Sequence, residues 1–207
     1  MWIAWNIRDT DLAWPLTIEK KIDIFCQQTL GWQLHVADLM INGGKPLDGD
    51  TRIESVPHSG FAVLQICLSY FETIGKYRAL GTTNGETFRA GAQEVLPELQ
   101  HVPDRVRKSL LGALYKGARC GLYHNSRTAR GVGLGQPSSG EAVVYDPEAQ
   151  VLVINPHRLP QVLKSHLEHY RTELLDSNNA DVRRRFQSQF DNDFGRKQPP
   201  LQQHLGS

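Results

Sequence analysis

From Thr17 to about Met40, apolar residues return at helical spacing: Ile18, Ile22, Ile24, Phe25, Cys26, Leu30, Leu34 and Leu39. That period is one face of an α-helix turned toward a core. Gly43-Gly44-Lys45-Pro46 ends this first helix, and a polar loop with Gly49, Pro57 and Gly60 follows. A second helix is expected from Phe61 to about Tyr77. It is apolar nearly all round, which predicts a central place in a bundle. Its polar exceptions, Gln65, Ser69, Glu72 and Lys76, are spaced at intervals of 4, 3 and 4 and form one stripe. The stripe is either a solvent-facing strip or a face that brings Glu72 beside a site or a subunit seam.

A third helix is expected from Gly85 to Leu99, with Thr83 or Asn84 near its cap and Pro97 near its end. Pro103-Asp104 starts a fourth, carrying Val106, Leu110, Leu111 and Leu114 and ending near Gly121. Val143-Val144-Tyr145 and Val151-Leu152-Val153-Ile154 flank Asp146-Pro147-Glu148-Ala149-Gln150, the pattern of a β-hairpin at about 142–155. Pro156 or Leu159 opens a last long helix to about Leu175. The fold class expected is mainly α, a bundle of four to five helices with a small β-hairpin insertion before the last long helix. One domain should span residues 1–180, with 181–207 a polar, mobile tail.

Composition adds few constraints. Of 207 residues, 40% are hydrophobic and 22% charged, which suits a globular chain with a real core. Three cysteines, Cys26, Cys67 and Cys120, make no paired disulfide framework and no Cys-x-x-Cys zinc pattern. Cys26 and Cys67 lie among apolar residues and read as buried thiols, the usage of a reducing compartment. Arg8, Asp9 and Asp11 interrupt the N-terminus before any signal-peptide core, and Phe61–Leu68 is too short to span a bilayer. A cytoplasmic protein with no membrane partner is expected.

The net charge is only +1, yet the charges are segregated. Residues 103–130 carry Arg105, Arg107, Lys108, Lys116, Arg119, Arg127 and Arg130 against Asp104 alone, whereas the first sixty residues lean acidic. A local positive field of this kind can collect a polyanion such as RNA.

Within the basic segment runs Ala118-Arg119-Cys120-Gly121-Leu122-Tyr123-His124-Asn125. Five positions on an unbroken helix turn Arg119 and His124 about 140° apart, so they do not share a face. Gly121 between them is a natural helix terminator, after which the chain would turn back. Alternatively, the two residues meet their counterparts across a two-fold interface. Arginine presents a permanently charged fork suited to phosphate oxygens. Histidine can take a proton from a ribose 2′-hydroxyl or give one to a leaving oxygen near neutral pH. Together they provide for RNA cleavage by 2′-hydroxyl attack without metal or cofactor. Tyr123, Asn125 and Arg127 would add hydrogen bonds or charge. The same pair also reads simply as basic groups decorating a helix C-terminus.

Arg119-x4-His124 at a helix end, in a helical chain with an acid on an earlier helix, resembles the Arg-x4–6-His motif of the HEPN superfamily. The resemblance covers about residues 60–175. It implies a helical bundle, a metal-independent ribonuclease of toxin or defence type, and a composite site in a homodimer. It also implies that Glu72 is the acid of that site, and an antitoxin-type protein partner is conceivable on the same ground. Cys120 stands where many members carry a polar residue, which motivates the alternative of a non-catalytic HEPN-like module binding a nucleotide, RNA or a protein. The hairpin followed by Asn155-Pro156-His157 is similar to the arrangement in bacterial HEPN-like proteins with an Arg-Cys-Gly-Leu-x-His stretch.

Other patterns carry less. Gly131-x-Gly133-x-Gly135 follows no expected strand and reads as a mobile loop beside the histidine, not a dinucleotide fingerprint. Gly43-Gly44-Lys45 lacks the P-loop spacing. His166 and His169, with Glu168 and His157 nearby, read as surface histidines in preference to a metal site. Arg183-Arg184-Arg185 reads as a solvated helix end.

Overall fold

A computed structural model describes residues 1–79 and 84–194. The architecture is mainly helical with two small sheets. Strands β1 (Trp2–Ala4) and β2 (Ile7–Arg8) pair antiparallel and rest on helix α1 (Ile18–Thr29). The Gln28 side chain fastens them by donating to the Ile3 carbonyl at 2.6 Å. Thr17 caps α1 by accepting from the Lys20 amide. The rod then passes through a π-helical stretch, Leu30–Leu34, into α2 (His35–Asn42) and stops at Gly43, whose φ of 66° suits glycine. The expected first helix is therefore present, with a π-helical interruption that hydrophobic spacing does not reveal.

Helix α3 (Gly60–Ala79) is the central element, as its all-round apolarity predicts. Val63, Leu64, Cys67, Leu68, Tyr70, Phe71 and Ile74 are fully buried. It packs against α2, α4 (Gly85–Val95), α7 (Leu159–Leu175) and α8 (Ala180–Phe194). The crossing with α4 is close because Gly75 and Gly91 face it. A Cβ on Gly75 would lie 1.9 Å from the Thr87 carbonyl oxygen, and one on Gly91 1.9 Å from that of Phe71. Asn84 caps α4 with two bonds of 2.9 Å to the Glu86 and Thr87 amides, whereas Thr83 lies outside the described residues. The expected third helix ends at Val95, and Pro97 opens a separate 3₁₀ turn to Gln100.

The fourth rod is longer than its sequence suggests. Helix α5 (Asp104–Gly112) continues through π-helical Ala113–Cys120 into α6 (Gly121–Asn125). Gly121 is therefore not a terminator: its φ of −58° is helical, and the rod ends at Ser126, which is left-handed at φ 55°. Gly121 serves packing instead. The returning chain presses on it so closely that a Cβ would sit 2.6 Å from the Arg127 carbonyl oxygen.

The expected hairpin is present as β4 (Val143–Asp146) and β5 (Val151–Ile154) in antiparallel register. Asp146 holds its turn by accepting from the Glu148 and Ala149 amides. The glycine-rich segment is not a loop. Val132–Leu134 forms β3, parallel to β5, so the sheet order is β3-β5-β4. Gly131, at φ 83°, turns the chain so that its carbonyl accepts from the Leu152 amide at 2.7 Å. Asn155 then starts α7 by accepting from the amides of His157 and Arg158, which accounts for the Asn-Pro-His segment as a capping turn.

The expectation of a mobile tail from residue 181 is corrected over 181–194, which form most of α8. Its polar composition conceals the stripe Val182, Phe186, Phe190, spaced by four. Phe186 and Phe190 are buried, and Phe186 meets Phe25 and Tyr77 at ring separations of 5.5 and 5.4 Å. Lys21–Asp191 (2.7 Å) and Lys76–Asp193 (2.5 Å) flank the seam. The basic run is used in docking as well: Arg183 donates to the Leu174 carbonyl and Glu19, and Arg185 to the Arg78 carbonyl. The expected fraying of 197–207 lies outside the described residues.

Cys26 and Cys67 are buried, as expected. Burial pushes the Cys26 thiol up to about 12 and Cys67 higher still. Among the described residues no helix is long and apolar enough to cross a membrane.

Candidate functional site

The polar stripe on α3 divides among three partners. Lys76 pairs with Asp193, Gln65 and Ser69 line a groove, and Glu72 turns to the α5–α6 rod. There it accepts two hydrogen bonds from Arg119, Nε to Oε1 at 2.5 Å and Nη2 to Oε2 at 3.2 Å. Both side chains are largely covered, 13% exposed for Glu72 and 22% for Arg119. Donating these bonds to Glu72 raises the guanidinium above its usual pKa, so the charge is permanent. One helical turn on, the Tyr123 ring lies 4.3 Å from the guanidinium carbon, a cation–π contact. Glu72, Arg119 and Tyr123 thus form one assembly, carboxylate against fork against ring. The solvent-strip reading of the stripe fails at Glu72.

His124 is directed elsewhere. It lines an open cleft of about 460 Å³ with Lys116, Cys120, Asn125, Arg127 and Arg130, over a floor that includes Gly121. Lys116, Cys120 and His124 are four positions apart along the rod and share its face. The turn at Ser126 brings Arg127, Thr128, Ala129 and Arg130 back as the opposite wall. Lys116, His124, Arg127 and Arg130 are all exposed. Among the described residues no carboxylate lines the cleft. The result is a concentrated positive recess with an imidazole and an amide within it, which suits phosphate oxygens.

Of the residues expected from sequence, Glu72, Arg119 and Tyr123 come together, as do His124, Asn125 and Arg127. The two groups do not merge: Arg119 is absent from the lining of the His124 cleft. The divergence of Arg119 and His124 follows from their spacing. The anticipated break at Gly121 is displaced to Ser126. Lys116 and Arg130 were not singled out as site residues. The Lys116-x3-Cys120-x3-His124 spacing was the available signal for the first, whereas no local pattern announces the second.

Of the histidines read as surface groups, His169 is exposed, whereas His166 is largely covered and, like His157, has structural partners. His166 is hydrogen-bonded to the Tyr70 hydroxyl at 2.8 Å and Glu94 at 3.3 Å, and His157 to Asn42 at 2.8 Å. Among the described residues no group of three His, Cys, Asp or Glu side chains is placed to hold a metal ion. Comparison with protein-family models, with curated proteins and with solved structures finds no match.

Proposed function

We propose that the chain binds RNA in the His124 cleft and cleaves it without a metal, as an endoribonuclease of the HEPN type. The observation that carries this reading is the cleft itself: His124 and Asn125 set among Lys116, Arg127 and Arg130, with no acid in the lining among the described residues. The mainly helical fold and the union of Glu72 with Arg119 support the resemblance in their turn. The cations hold the scissile phosphate and offset charge developing on its oxygens. His124 takes the proton of the 2′-hydroxyl as that oxygen attacks phosphorus. The P–O5′ bond breaks, O5′ leaves with a proton from water, and a 2′,3′-cyclic phosphate remains. A homodimer belongs to the proposal, because within one chain Arg119 and His124 serve different recesses. A second copy facing the first would bring Arg119 of one chain and His124 of the other to one phosphate.

A second reading, a HEPN-like module that binds RNA, a nucleotide or an antitoxin-type protein without cleavage, has one observation in its favour. Arg119 is already matched by Glu72 and stands off the cleft. One experiment separates the two. Contaminant-free wild type and His124→Ala are incubated with varied single-stranded RNAs in EDTA, and binding is measured alongside cleavage. Cleavage lost in His124→Ala supports the ribonuclease. Salt-dependent binding without cleavage by either protein supports the module. Under both, Lys116→Ala and Arg130→Ala each lower the salt slope of single-stranded RNA binding by about 0.7. Wild type that neither binds nor cleaves RNA overturns both RNA readings.

A further inference from the structure

Tyr123 also lines a second recess. It is a groove of about 380 Å³ between the π-helical stretch after α1 and the outer face of α3. Trp32 and Tyr123 line it with Gln33, Gln65, Ile66 and Ser69. Both rings are unusually open for their size, Trp32 47% exposed and Tyr123 44%.

We propose that this groove is a nucleobase subsite, in which an unpaired base of the bound RNA stacks on Trp32 and Tyr123. The inference rests on the RNA reading above and deepens it. Three features argue for a base. Exposed aromatic faces are the common platform for single-stranded nucleic acid, since every base has a π-face to offer. The polar lining has the right chemistry for a base edge. Gln33 and Gln65 bring amides that both donate and accept, and Ser69, whose Oγ donates to the Ile66 carbonyl at 2.7 Å, keeps its lone pairs for a donor. The position is also right. Tyr123 in the groove and His124 in the cationic cleft are consecutive residues, so base and phosphate of adjoining nucleotides reach the two recesses together.

The inference gives Arg119 a definite task. Its guanidinium, fixed by Glu72, lies over the Tyr123 ring and holds it in place before any base arrives. Within its own chain Arg119 is then also a positioning residue for stacking, acting through Tyr123.

The test uses the full chain and a fluorescein-labelled single-stranded RNA of about a dozen nucleotides, 2′-O-methylated to block cleavage. Trp32→Ala and Tyr123→Ala are expected to weaken binding about 5- to 100-fold, the range carried by one stacked base, with the salt slope unchanged. Tyr123→Phe should retain affinity. An oligonucleotide made abasic throughout should bind wild type and the two alanine variants alike. Arg119→Ala should weaken the base-bearing RNA more than the abasic one, a difference that general loss of structure would not produce. Unchanged affinity in Trp32→Ala and Tyr123→Ala, while Lys116→Ala loses it, overturns the base subsite and leaves the RNA reading standing. Variants that change the oligomeric state and not the affinity show the groove to be an interface between copies, and the inference falls. If wild type binds no RNA even at low salt, the underlying reading fails and the subsite with it.

Discussion

Glu72 and Arg119 are 47 positions apart in the chain and meet through two hydrogen bonds that tie the middle of α3 to the α5–α6 rod. With both groups mostly covered, neither partner is easily replaced by water. Glu72→Ala is expected to lower the unfolding free energy by about 1.5–3 kcal/mol, the range of hydrogen bonds to a charged group. Arg119→Ala should cost a similar amount, and the double variant much less than the sum. Urea unfolding of the four proteins measures this coupling. Additive effects would mean that the pair does not stabilise the contact.

Helix α8 is part of the core. Phe186→Ala is expected to cost about 3–5 kcal/mol, because the ring is fully buried and leaves a cavity beside Phe25 and Tyr77. Truncation at Asn179 should lower the thermal midpoint sharply. A midpoint unchanged by that truncation would return α8 to the status of an appendage.

Thiol chemistry reports on the cleft. Cys26 and Cys67 are buried with raised pKa, whereas Cys120 is partly exposed at the wall beside His124. Native maleimide treatment should therefore label Cys120 alone, and denaturation should expose all three cysteines. Single-stranded RNA in excess should slow the native labelling if it occupies the cleft. Mass spectrometry of the labelled peptides decides the matter.

Acid should weaken the contact of α3 with α4 and α7. Glu94 accepts from Arg78 Nε at 2.7 Å and is hydrogen-bonded to His166, and the same Arg78 holds Glu173. Burial raises the Glu94 pKa, but the bond with His166 and the charge of Arg78 outweigh it and hold the carboxyl below its usual value of 4.5. A depressed carboxyl stabilises the fold fully above the unfolded value and loses that contribution as pH falls through the folded one. Wild type should therefore lose stability below about pH 4.5 more steeply than Glu94→Gln, as chemical unfolding across pH would show.

Legibility from the sequence followed the length scale of the interaction. Helix α3, the β4–β5 hairpin and the Asn84 cap rest on periodicity and turn chemistry within a few residues, and they were readable. The β3 strand was not, because Gly131–Gly135 pairs only with β5, some twenty residues on, and glycine carries no strand pattern of its own. Helix α8 was obscured because its few buried residues lie in a polar surround. In the site, the failure of Arg119 and His124 to share a face was anticipated, whereas Glu72 beside the Arg119 segment was one of two readings left open by the polar stripe. Trp32 and Gln33 were out of reach: their approach to Tyr123 depends on how three separate helical segments pack.

Gly121 acts as a spacer of no thickness between the rod and the returning chain. With a Cβ there only 2.6 Å from the Arg127 carbonyl oxygen, the gap tolerates a hydrogen and nothing more. A single methyl, Gly121→Ala, would wedge apart the two walls that carry His124 on one side and Arg127 and Arg130 on the other. The cleft would widen with every charge and every functional group intact. The aperture between imidazole and guanidinium groups is thus set by steric exclusion at a residue with no chemistry of its own.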